Sequence, residues 1–140
     1  MRRRGFTLLE LTLVTTIAGL LLALVAPRFL SLRNVSSVRA AMGELGATFS
    51  AARQHAITRR ATVAILFDTT TGSVELHTGG QTILRRSLKA VYGITLAANR
   101  DSAVYDPRGL GYGVSNLSVT VRRGAIVDTL TMSRLGRVRW

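Results

Sequence analysis

Two groups of charged residues in this sequence stand where charge needs a partner. The first is Glu10, the single charged side chain between Phe6 and Ala26. A carboxylate in lipid is costly unless something pairs with it, so Glu10 implies a partner and a task. The second group is residues 122–140, where Arg122, Arg123, Arg134, Arg137 and Arg139 face one acid, Asp128. In Gly136-Arg137-Val138-Arg139 an extended backbone puts both arginines on one face, roughly 6–7 Å apart, close to the spacing of neighbouring phosphates on a strand. A guanidinium fork can grip phosphate bidentately, and Gly136 carries no side chain to obstruct close approach. Trp140 offers a ring that either stacks on a base or packs on a sheet.

The other residues with chemical potential do not gather. His55 and His77 are 22 positions apart, with no further histidine or cysteine at metal-ligand spacing, and read as structural or solvated. Asp101 and Asp106 share a glycine-rich loop and could offer oxygen ligands to calcium. They lack EF-hand spacing, however, and ordinary turn chemistry accounts for them. Gly109-Leu110-Gly111-Tyr112-Gly113 lacks the lysine and following helix of a phosphate loop and reads as a flexible turn. No serine occupies a nucleophile elbow with histidine support. The sequence predicts no enzyme, no metal site and no cofactor.

The elements that must hold these groups follow from hydrophobic patterning. Phe6–Ala26 would span about 30 Å as a helix, enough to cross a bilayer. Arg2, Arg3 and Arg4 ahead of it place the amino terminus in the cytoplasm and the remainder outside. Beyond Pro27, which is expected to bend the helix, Val35, Val38, Met42, Leu45, Phe49, Ala52 and Ala56 recur at steps of three and four. They form the seam of an amphipathic helix reaching to about residue 58, with Gly43 and Gly46 permitting close packing. From residue 61 the pattern becomes β-rich. Expected strands cover 61–67, 73–77, 82–89, 91–97, 117–123 and 125–133, with 99–113 as a loop and Gly124 in a late hairpin. The domain of residues 28–140 has no cysteine and so no disulfide. The formal charge of +12 points to anionic partners, nucleic acid or acidic lipid surfaces alike.

The segment Gly5-Phe6-Thr7-Leu8-Leu9-Glu10, following a short basic leader, resembles the class III signal of type IV pilins and type II secretion pseudopilins. A secretory signal would instead be cut beyond a shorter apolar core. The resemblance implies a leader at 1–5, cleavage between Gly5 and Phe6 by a prepilin peptidase, methylation of the new Phe6 amine, and Glu10 as the assembly residue. Loss of the leader would lower the formal charge from +12 to +9. Tyr105-Asp106-Pro107-Arg108-Gly109, the late hairpin and Ser133–Arg139 resemble the GspH/FimT-type domain. This implies an α+β, pilin-like fold: an assembly helix at 6–27, then a periplasmic domain in which the helix packs on antiparallel sheet. It also implies a single-pass inner-membrane protein whose partners are other pilins, the prepilin peptidase and the membrane. One branch of the family assists DNA uptake in natural transformation, with a terminal G-R-x-R motif implicated in contacting double-stranded DNA. That branch would make Arg137, Arg139, Gly136, Arg134, Arg122 and Arg123 the DNA-binding residues. The other branch sits at the tip of the type II secretion pseudopilus, and the sequence leaves both open.

Overall fold

The structure, a computed structural model, describes residues 7–112 and 116–140, the side chains of Ala26 and Pro27 excepted. Arg2–Arg4, Gly5 and Phe6 lie outside the described residues. So does Gly113, and the bend expected at Pro27 rests on a side chain not described. The chain divides into two units, residues 1–33 and 34–140.

In the first unit, helix α1 (Leu8–Arg59) begins beneath Thr7, whose Oγ1 accepts the Glu10 N–H at 3.2 Å. An oxygen in that position satisfies one of the orphan N–H groups of a helix start. The threonines that follow return their hydroxyls to the backbone, Thr12 to the Leu9 carbonyl and Thr16 to the Thr12 carbonyl, which neutralises them for an apolar medium. Leu8 through Val25 are exposed, and α1 is long and apolar enough to cross a membrane.

The second unit contains the core. Its part of α1 buries Val38, Met42, Leu45, Phe49, Ala52 and Ala56 as the spacing predicts, with Val35 only partly covered. Ala41 and Thr48 are buried as well, so the seam is broader than one stripe. The Thr48 hydroxyl donates to the Glu44 carbonyl, which permits its burial. Against this seam lie two antiparallel sheets. The first orders β3-β2-β1-β5, from β1 (Val63–Asp68), β2 (Ser73–Thr78), β3 (Gln81–Ser87) and β5 (Ser102–Tyr105). The second orders β4-β6-β7-β8, from β4 (Thr95–Ala98), β6 (Leu117–Arg123), β7 (Ile126–Met132) and β8 (Val138–Arg139). Phe49 of α1 stacks on Phe67 of β1 with ring centres 6.0 Å apart, each ring contributing on the order of 2–3 kcal/mol by burial.

Three expectations are corrected. The strand expected at 82–89 stops at Ser87, because Leu88–Tyr92 form a short helix, α2, whose first two N–H groups donate to the Gly72 carbonyl. The strand expected at 91–97 therefore begins only at Thr95, after Gly93 closes α2. The loop expected over 99–113 contains β5, which buries Ala103 and Tyr105 and pairs with β1 from Ser102↔Leu66 to Tyr105↔Val63. Four residues between strong turn signals gave it little periodicity to read.

Candidate nucleic-acid interface

The arginine-bearing segment is fastened at both ends. Ser133 and Gly136 close a tight turn, with the Gly136 N–H donating to the Ser133 carbonyl at 2.9 Å and the Ser133 N–H to the Arg137 carbonyl at 2.8 Å. The chain then enters β8, where Val138 pairs with Met132 and Arg139 with Thr131. Gly136 sits at φ 72°, where a side chain is strained, and is buried. A β-carbon there would lie 2.8 Å from the Tyr105 ring and 3.0 Å from the Gly109 carbonyl oxygen. Tyr105, 1% exposed, donates its hydroxyl to the Gly136 carbonyl at 3.2 Å. Burial pushes the Tyr105 phenol up to about 12, against the pull of the neighbouring Arg53 guanidinium. The reading of Gly136 as clearance for a ligand is therefore corrected. The close approach it permits is to the protein's own Tyr105–Gly111 loop.

Within that loop the Asp106 side chain caps backbone N–H groups. Asp106 Oδ1 accepts the N–H groups of Arg108 and Leu110, both at 2.9 Å, and Oδ2 accepts from Arg108 Nε at 3.2 Å. The Leu110 bond, and then Arg108, hold the Asp106 carboxyl below the usual carboxylate range. Among the described residues, no three His, Cys, Asp or Glu side chains converge to hold a metal. His77 Nε2 instead meets Glu75 at 3.0 Å.

The structure separates the predicted arginines. Arg137 and Arg139 are exposed and line the same open hollow of about 640 Å³, together with Ser118, Thr131, Ser133 and Leu135. Arg134 is exposed on the adjoining turn. Arg122 shares a sheet face with Arg139, since it pairs with Val127 while Arg139 pairs with Thr131, four residues further along β7. Arg123 does not join them. It points to the opposite face, where its guanidinium donates to Ser37 Oγ on α1 at 2.6 Å and to the Tyr92 carbonyl. Those bonds make Arg123 a tie between hairpin and helix, and its assignment to a DNA surface is withdrawn. Trp140 approaches the helix α1. Its ring edge lies over Gly46 of α1, where a β-carbon would come within 2.5 Å, although 63% of the residue stays exposed.

The outward face of the second sheet thus presents Thr95 and Ala97, Ser118, Thr120 and Arg122, Val127, Thr129 and Thr131, then Arg139. Asp128 pairs with buried Val121 and belongs to the inward face, so no carboxylate shares the outward one. Ion pairs among the described residues engage Arg85, Arg86 and Arg108, and none engages Arg122, Arg134, Arg137 or Arg139. A sheet face of hydroxyls and uncompensated guanidinium groups attracts polyanions through charge and can hydrogen-bond phosphate oxygens.

Residues 41–136 match the family of the type II transport protein GspH, more than half of the 140-residue chain. The chain belongs to the GspH family. Residues 1–26 match the prokaryotic N-terminal methylation motif, the segment that holds Gly5, Phe6 and Glu10. No curated protein matches the chain. Among solved structures, the type IV minor pilin FimU of Pseudomonas aeruginosa superposes in two crystal forms. The first gives a TM-score of 0.64 at 14% identity, over 74% of this chain and 87% of FimU. The second gives 0.61 at 14% identity, over 73% and 90%. At that identity the likeness is one of fold, and it establishes the pilin-like architecture of a long helix packed on antiparallel sheet. Family and fold are those of structural pilins. The GspH match ends at Gly136, so Arg137 and Arg139 stand just beyond it.

Arg53, which sequence reasoning passed over, also belongs to this region. It rises from α1 beside Tyr105 and lines a second hollow with Arg137, Arg139 and Trp140. Its position 84 residues before Arg137 left no local signal.

Proposed function

We propose that this GspH-family protein is a minor pilin of the DNA-uptake branch, binding double-stranded DNA without sequence preference through Arg137 and Arg139, with Arg134 and Arg122 beside them. The observation carrying this reading is the outward sheet face, where Arg122 and Arg139 stand without a carboxylate among them, with Arg134 and Arg137 exposed just before β8. Contacts to phosphate position a protein on DNA but carry no sequence information, so unrelated duplexes should bind alike. In this reading the prepilin peptidase cuts between Gly5 and Phe6, Phe6 is N-methylated, and the domain beyond α1's apolar half faces the periplasm from a single inner-membrane span. Glu10 then pairs with the Phe6 amine of a neighbouring subunit during filament assembly.

The test is a fluorescence-anisotropy titration of the full chain in neutral detergent with several unrelated duplexes. Arg137→Gln combined with Arg139→Gln should weaken all of them equally, with circular dichroism unchanged. Equal affinity of the double variant and the wild type contradicts the assignment. A second reading, a minor pseudopilin at the tip of the type II secretion pseudopilus, is favoured by the family match itself, which covers the domain but not the arginine pair. Absence of any duplex binding at low salt selects it.

A further inference from the structure

The second hollow, of about 360 Å³, lies between α1 and β8 and differs in kind from the flat sheet face. Three arginines from two distant segments line it, Arg53 on α1 and Arg137 and Arg139 on the tail. Buried Phe49 and Tyr105 lie beneath it, and Trp140, 63% exposed, lines one side. Among the described residues, Arg53 engages no carboxylate. The six-membered edge of the indole lies close to Gly46, where a β-carbon would come within 2.5 Å of it. Clustered cations next to a fixed, exposed aromatic ring are the two components by which proteins hold unpaired nucleotides. The cations follow the backbone, and the ring stacks on a base.

We propose that this hollow is a nucleotide-sized site for single-stranded DNA, in which an unpaired base stacks on Trp140 while Arg53, Arg137 and Arg139 hold the adjoining phosphates. The proposal rests on the DNA-binding reading above and adds Arg53 and Trp140 to it. A duplex keeps its bases stacked on one another and cannot offer one to the indole, so the site distinguishes single strands from duplex by stacking rather than by charge. A single-stranded end or a locally opened segment is the form of DNA that fits.

Trp140 is the sole tryptophan in the chain, so its emission reports this site directly. The full chain in neutral detergent is titrated with a thymidine oligonucleotide and with a duplex, following both indole emission and the anisotropy of labelled DNA. The single strand should quench Trp140 saturably, and the duplex should bind with little quenching. Arg53→Gln should weaken single-strand binding several-fold, and Trp140→Ala should weaken it about fivefold or more by anisotropy. Circular dichroism checks that each variant is folded. DNA binding with unchanged indole emission and no effect of Arg53→Gln overturns this site while leaving the sheet-face reading intact. Equal quenching by duplex overturns the stacking selectivity. Failure of both DNAs to bind removes the DNA-binding reading, and this site with it.

Discussion

Tyr105 and Gly136 show how much of this protein's tail depends on a single contact. The phenol is buried, donates to the Gly136 carbonyl and titrates at about 12 rather than 10.0. Because the folded state holds this proton above the pH at which the unfolded chain releases it, Tyr105 contributes stability that is complete below pH 10.0. That contribution is lost as pH rises through about 12. Thermal denaturation followed from pH 9 to 12 should therefore show stability falling across the upper part of that range. Tyr105→Phe should flatten the fall, and an unchanged slope in that variant would show that another group is responsible. Gly136→Ala combines a strained backbone with contacts to Tyr105 and Gly109, and should cost about 2–3 kcal/mol in chemical denaturation. A loss under half a kcal/mol would mean that the turn relaxes freely. The sequence displays Gly136 only as a neighbour of two arginines. Its partner Tyr105 lies 31 residues away, which explains why its structural role was not legible there.

At the scale of elements, legibility followed periodicity. The α1 seam, β1, β2 and the β6–β7 hairpin declare themselves because their apolar residues recur at helical or alternating spacing over six residues or more. β5 and α2 were hidden because each is short, and their identity comes from tertiary partners. β1 zips onto β5, and the Gly72 carbonyl anchors α2. Arg123 was misread for a related reason, as its partner Ser37 is 86 residues away. The strand around Arg139 was readable, since alternation along β8 places Arg139 on the face that Thr131 occupies. The apolar half of α1 carries its own prediction. If Glu10 pairs with a neighbouring Phe6 amine, an unmatched carboxylate in the bundle costs roughly 2–3 kcal/mol, which favours subunits docked in register. Glu10→Val should remain in the membrane fraction yet fail to appear in sheared filaments. Its normal incorporation would show that assembly does not use this carboxylate.

For the whole molecule, the apolar helix and the methylation motif fit a protein inserted in the inner membrane and then drawn into a filament. Intact-mass measurement of membrane-extracted protein should give a chain that begins at Phe6 and carries one added methyl group. A mass that retains Met1, or one that begins beyond Ala26, would contradict the proposed processing. Processing also bears on the charge account, because removal of Arg2–Arg4 leaves the tail arginines as a larger share of the excess. If Arg137 and Arg139 neutralise DNA phosphates, the salt dependence of binding reports it. Each phosphate contact on duplex DNA contributes about 0.9 to the slope of log affinity against log salt. Measured by anisotropy over a range of salt concentrations, Arg137→Gln with Arg139→Gln should reduce the magnitude of that slope by about 1.8, with affinity falling in parallel. A folded double variant that keeps the wild-type slope would show that these two arginines do not contact the phosphates.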